Sequence, residues 1–192
     1  LDAGLFLGSF LKPLEPHRGH TGLLILEFSR FHRRDFAHGR EFLAALDSFL
    51  ARVPTGEWDV AVELRNESLL RPEYFDLLER RRAGHVYNHW QRMPPAGEQL
   101  ALRPPAALGG PCGMRLLLKP GRAYQEAVDT FQPYDRVREP LPEARAAAAR
   151  FLRDHLARPP GGRRGALYVN NRLEGNALAT IAAILDLLAA AA

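Results

Sequence analysis

The chain has 192 residues, 26 Lys+Arg against 22 Asp+Glu for a formal net charge of +4, and 46% hydrophobic residues. This excludes wholesale disorder, and no apolar run approaches the ~18–20 residues that span a bilayer. The single cysteine, Cys112, excludes an intramolecular disulfide and a Cys-rich zinc site, and without a secretory leader the expected location is cytoplasmic.

In chain order, residues 6–14 read as the end of a helix stopped near Pro13. Residues 23–28 form the first apolar run bounded by turn residues, a strand signal. Residues 40–52 place Phe42, Leu43, Leu46, Phe49 and Leu50 on one helical face. A strand is predicted at 60–64, then a helix at 72–82 opened by Pro72 and carrying Tyr74, Phe75, Leu77 and Leu78. Strands follow at 85–88 and 114–118. An Ala- and Arg-rich helix at 142–156, a strand at 166–169 and an apolar helix at 175–191 complete the series.

Strands alternating with helices, and strands that are nearly continuous in apolar residues, indicate a parallel sheet covered by helices. That leaves a doubly wound sheet or a β/α barrel. No G-x-G-x-x-G follows a strand and no Walker pattern is present, so no cofactor is identified. The glycines at 161, 162 and 165 precede a strand, which fits a connection and not a phosphate loop.

Polar residues collect at the C-terminal ends of all five strands: Glu27, Glu63-Leu64-Arg65-Asn66, Asn88-His89-Trp90, Lys119 and Asn170-Asn171-Arg172. In α/β folds ligands bind at that edge. Alternation along a strand sets Glu63 and Arg65 on the face opposite Val60, Val62 and Leu64. The same rule groups Ile25 with Glu27, Asn88 with Trp90, Arg115 with Leu117, and Tyr168 with Asn170.

Several of these stretches resemble a known family. Val62-Glu63-Leu64-Arg65-Asn66, Met114-Arg115-Leu116-Leu117-Leu118-Lys119-Pro120-Gly121, Phe131-Gln132-Pro133-Tyr134-Asp135 and Val169-Asn170-Asn171-Arg172-Leu173-Glu174-Gly175-Asn176-Ala177 are similar to signatures of the YecE-like family, domain of unknown function 72. Residues 85–95 look like one branch of it. The resemblance implies a TIM-type (β/α)8 barrel and supplies no established activity. In that frame residues 1–192 are the C-terminal two-thirds of a single barrel domain, contributing about strands four to eight. The expectation is therefore an incomplete barrel from a longer protein, since a closed one typically needs ~250 residues. There are departures. Glu27-Phe28-Ser29-Arg30 stands where the family commonly has a Gln-Phe-Pro-Pro-like segment, and Asn66 replaces a His or Tyr.

The candidate chemistry follows from the polar edge. Glu63 is the favoured general acid/base, and Lys119, one of two lysines, is a possible nucleophile or anion contact. Glu27, Arg65, Asn88, Trp90, Arg115, Tyr124, Asn170, Asn171 and Asn176 are expected to bind the substrate. Their amides suit phosphate, carboxylate or sugar hydroxyls, and their aromatic rings offer stacking surfaces. The structural alternative for Glu63, Arg65 and Arg115 is an ion-pair network, because buried charges must be paired. The histidines have no diagnostic metal spacing, so no metal site is assigned. Arg30, Arg33 and Arg34 follow the first strand and are placed to help hold an anion, whereas residues 80–82 end a helix, where cations complement the dipole.

The function expected is an enzyme binding a polar or anionic small molecule. The alternative is a non-catalytic binding module for nucleic acid or another polyanion, motivated by the excess of arginine, since only Lys12 and Lys119 among the 26 basic residues are lysines. Membrane association is not expected, and oligomeric state is not legible.

Overall fold

The computed structural model describes residues 1–32, 34–157 and 165–190. The apolar runs form strands close to where periodicity places them: β1 (Leu24–Phe28), β2 (Val60–Leu64), β3 (Gly84–His89), β4 (Cys112–Leu116) and β5 (Gly165–Val169). Neighbours pair in parallel in the order β1-β2-β3-β4-β5. Each crossover therefore steps one strand in the same direction. Right-handed crossovers of that kind put the connecting helices on one face.

The chain starts with α1 (Ala3–Leu5), a π-helical segment (Phe6–Leu11), α2 (Lys12–Leu14) and a 3-10 segment (Glu15–His20). Pro13 does not end the helical run as expected. It lies just after the π-helical turn, in a run where Leu11, Lys12 and Glu15 all keep right-handed helical backbone. The larger helices are α3 (Gly39–Leu50), α4 (Pro72–Arg80), α5 (Ala96–Leu102), α6 (Tyr124–Phe131), α7 (Pro142–Leu156) and α8 (Ala177–Ala189). Of these, α5 and α6 were not expected from the sequence. Each has eight residues or fewer, too short to be stable without packing.

The core lies between the helices and one face of the sheet. Val60, Val62 and Leu64 meet Phe42, Leu46, Leu50, Tyr74 and Leu78 there, with Tyr87, Met114, Leu116 and Phe151 farther along. Gly84 starts β3 in a tight approach to the turn before β4: a Cβ built on it would lie 1.5 Å from the Pro111 carbonyl oxygen. No side chain fits at that position.

The expected incomplete eight-stranded barrel is corrected by this architecture. The described residues form one open α/β layer, a five-stranded parallel sheet with β1 and β5 at its edges, and it carries its own buried core. The local signals for the two folds are the same, parallel strands alternating with helices, and only strand number and pairing separate them. Five strands cannot close on themselves at the tilt a barrel requires. The glycine stretch at 161–164 and Arg33 lie outside the described residues, as does the last residue of the expected final helix.

Candidate functional site

Alternation gives the sheet a second face, away from the helices. Glu27 is in register with Glu63, and Arg115 with both Asn88 and Tyr168, so these residues belong to that face. In a flat sheet β1 and β4 would lie about 14 Å apart. Yet Arg115 Nη1 on β4 donates to Glu27 Oε2 on β1 at 2.8 Å. One cavity is also lined both by Ile25 and Glu27 on β1 and by Tyr168 and Val169 on β5, so the sheet is curved with this face concave, and charges from three strands converge in it.

Four side chains make the cluster. Arg115 Nη1 bridges Glu27 and Glu63. Arg65 Nη2 lies 3.2 Å from Glu27 Oε2 and 2.8 Å from Glu63 Oε1, the latter contact off the hydrogen-bond direction. Glu63 is fully buried, whereas the Glu27 side chain is 39% exposed. Desolvation is the largest influence on Glu63 and raises its pKa against the opposing pull of Arg65 and Arg115. Desolvation is also the largest influence on Glu27, but there the Arg115 hydrogen bond and the two guanidinium charges together outweigh it, and the pKa is lowered. Two carboxylates side by side are thus held toward different protonation states.

Asn88 and Trp90 belong to the same region. Asn88 Nδ2 donates to the Leu64 carbonyl at 2.8 Å, tying β3 to β2 where their ladder ends. Gln99 on α5 brackets the Asn88 backbone, donating to its carbonyl and accepting from its N–H. The Arg65 guanidinium stacks over Trp90 at 4.3 Å. Sequence reasoning missed Gln99, because nothing marks a glutamine in an unpredicted helix as a brace for β3.

Two cavities open beside the arginines of the cluster, and Glu27 lines both, as well as a third, more apolar one toward Phe6, Phe10 and Phe49. One, of about 420 Å3, is walled by Arg115, Leu117, Tyr168 and Asn170. The other, of about 290 Å3, lies toward Arg65 and Trp90. Glu63 lines neither.

The remaining predicted residues are committed elsewhere. Lys119 Nζ donates to Glu139 Oε1 at 2.9 Å, and Arg122 shares the same carboxylate. Tyr124 is half exposed, with Arg172 over its ring at 4.5 Å. The asparagine motif closes a turn between β5 and α8. Asn170 Oδ1 accepts from the Arg172 N–H, Asn171 Oδ1 from the Ala177 N–H, and Asn176 caps α8 by accepting from the Ala179 N–H. Gly175 within it has a φ of +112°, and a Cβ there would lie 2.6 Å from the Arg136 carbonyl oxygen. Glu174, fully buried, accepts from Arg145 and Thr180 and so locks α7 to α8. Asn170 also lines the 420 Å3 cavity.

Arg80 and Arg81 pair with Asp47, in keeping with a structural role for that basic run. Among the described residues, no group of three or more His, Cys, Asp or Glu side chains is placed to hold a metal ion, and no helix is long and apolar enough to cross a membrane.

A family model described as "Protein of unknown function DUF72" matches residues 4–192. No curated protein matches the chain. Two similar crystal structures are DUF72 family proteins. That from Enterococcus faecalis has 14% identity and a TM-score of 0.67, and that from Thermotoga maritima has 15% identity and a TM-score of 0.62. Each match covers 98% of this chain but 66% of the other, so the chain spans just under two thirds of those proteins' length. At such identities the likeness concerns the fold alone.

Proposed function

The chain belongs to the DUF72 family, and from that premise we propose that the concave sheet face binds a polar or anionic small molecule at its C-terminal edge and acts on it as an enzyme. Glu27 is the acid–base group. It lines the 420 Å3 cavity and is held ionised by two guanidinium groups. Arg115, on the same wall, offsets negative charge that develops on the ligand. Asn170 and Tyr168 orient the ligand from β5. Glu63 is buried behind this surface and acts as a positioning residue, holding Arg115 and Arg65 at the angles Glu27 requires. The acid–base role assigned to Glu63 on sequence grounds thus passes to its in-register neighbour on β1.

The observation that carries this reading is the split between the carboxylates. One is open to a cavity with its pKa lowered, the other sealed with its pKa raised, and both are gripped by the same two arginines. A purely structural ion pair has no need of a cavity at one of its members. Much of the arginine excess behind the polyanion alternative is consumed in ion pairs, as at Arg81, Arg103 and Arg145.

The test is amide NMR of the chain titrated separately with glucose, glucose 6-phosphate and citrate. Saturable shifts at Glu27, Arg115, Tyr168 and Asn170 are expected from at least one of them. Glu27→Gln should weaken that binding about tenfold. Shifts confined to other surfaces, or equal affinity in Glu27→Gln, would overturn the assignment.

A further inference from the structure

We propose that the second cavity, on the Trp90 side of Glu27, is a separate oxyanion subsite that takes the phosphate or carboxylate group of the ligand. The inference rests on the binding face proposed above but concerns a different pocket, which shares only Glu27 with the first. Besides Glu27, its walls are Ser29, Arg30, Arg65, Trp90, Gln91 and Arg92.

Arg65 is the central observation. Its side chain is only 7% exposed. Nη2 is used by Glu27 and Glu63, but Nε and Nη1 are buried without a hydrogen-bond partner. Leaving two guanidinium N–H groups dry and unpaired is costly, and native structures avoid it unless something else satisfies them. The stack on Trp90 fixes the guanidinium plane without satisfying its edge. A planar donor held this way is preorganised for a carboxylate or phosphate.

The pocket's rim adds to the same chemistry. Arg30 and Arg92 are exposed, and among the described residues no carboxylate pairs with either. This contrasts with Arg18, Arg81, Arg103, Arg122 and Arg145, each of which has a carboxylate partner. Three guanidinium groups therefore line the pocket with one carboxylate, Glu27, which Arg115 also binds, while Glu63 pairs with Arg65 from outside the pocket. Ser29 and Gln91 add neutral hydrogen-bonding groups to the walls. The β1–α3 loop carrying Ser29 and Arg30 is pinned to β2 by Asn66, which accepts from the Phe31 N–H and donates to the Ser29 carbonyl. Asn66, the departure from the family pattern noted above, thus holds one wall of the pocket.

The test follows the two tryptophan indole N–H signals by NMR while inorganic phosphate, citrate or sodium chloride is added at matched ionic strength. Trp58 is buried away from the site and serves as the internal control. A saturable shift of the Trp90 signal with phosphate or citrate, and none with chloride, is expected. The stronger of the two responses identifies a phosphate- or carboxylate-bearing ligand. Arg92→Ala and the Arg30→Ala/Arg92→Ala pair alter exposed residues and should weaken the response about tenfold or more without changing the fold. Glu27→Gln should keep or strengthen this response while weakening, about tenfold, whatever binds in the other cavity. Shifts that grow linearly and equally with all three salts, or that survive loss of both arginines, would overturn the subsite. If glucose still perturbs Tyr168 and Asn170 in that case, the proposed function stands and only the subsite falls.

Discussion

The two faces of the sheet are built from the same strands and yet follow opposite rules. Toward the helices, Val60, Val62, Leu64, Met114 and Leu116 are sealed in a continuous apolar layer, and Phe42 meets the rings of Phe28, Phe31 and Phe36 at 4.7–5.5 Å. On the concave face, one residue along in each strand, Glu27, Glu63, Arg65 and Arg115 form a charged cluster beside open cavities. The first arrangement gains stability from burial. The second holds charged groups partly out of water at a cost, which is how functional groups are kept in fixed positions. The contrast teaches that the proposed site is not an insertion into the fold but the off-phase half of its strand pattern.

The largest expected effect is on the packed face. Phe42→Ala should cost about 3–5 kcal/mol by urea denaturation, from lost burial plus the cavity left behind. On the other face, Tyr168→Ala, at a residue 41% exposed, should cost under about 1 kcal/mol. Equal losses would mean that the concave face is packed and the distinction false. Next in size is the cluster itself. Arg65→Met leaves Glu63 buried and poorly paired and should cost about 3–5 kcal/mol, while the Glu63→Gln/Arg65→Met pair should regain much of it. If the double variant is no better than the single, the two charges are not coupled.

A pH series sharpens the comparison because the buried histidines of the packed face and Glu63 of the concave face respond with opposite signs. His85, between Tyr74 and Phe75, and His89 are pushed by desolvation down to about 3 and about 4. Their unfolded value is about 6.5, so the unfolded chain takes the protons first as pH falls. Stability is then lost from about pH 6.5 downward, by about 1.4 kcal/mol per pH unit for each histidine, until the folded pKa values are reached. Glu63 runs the other way. With its pKa raised, the folded state binds that proton first, so Glu63→Gln should steepen the acid loss. Urea midpoints at pH 7, 6 and 5 decide this, and an unchanged slope in His85→Phe would remove His85 from the account. The smallest effect belongs to the asparagine turn. Asn176→Ala should cost about 1 kcal/mol as a lost helix cap and leave the Trp90 response to phosphate intact. Loss of that response would join the turn to the site.

Much of the fold was legible because its signals are local. Apolar runs placed all five strands, and alternation put Glu63 and Arg65 on one face before any contact was known. Residues 142–156 were read as a helix from Pro142 to Leu156, its observed span. The short helices α5 and α6 were not legible, since their stability comes from what they pack against and not from their own residues. The asparagine motif was legible as a turn or as a ligand ring, and its side chains proved to be largely spent on caps.

The sequence by itself determined the order of the five strands and of α3, α4, α7 and α8, the parity of each strand and the gathering of polar groups at one sheet edge. These follow from backbone periodicity and turn chemistry, which act over a few residues. Only the tertiary structure decided that the sheet is open and five-stranded. It also decided that Glu27 rather than Glu63 meets the cavity, and that Arg65 lies dry against Trp90. Arg115 and Glu27 are 88 positions apart, and their contact depends on the curvature accumulated across four strands, a property that no local window of sequence contains.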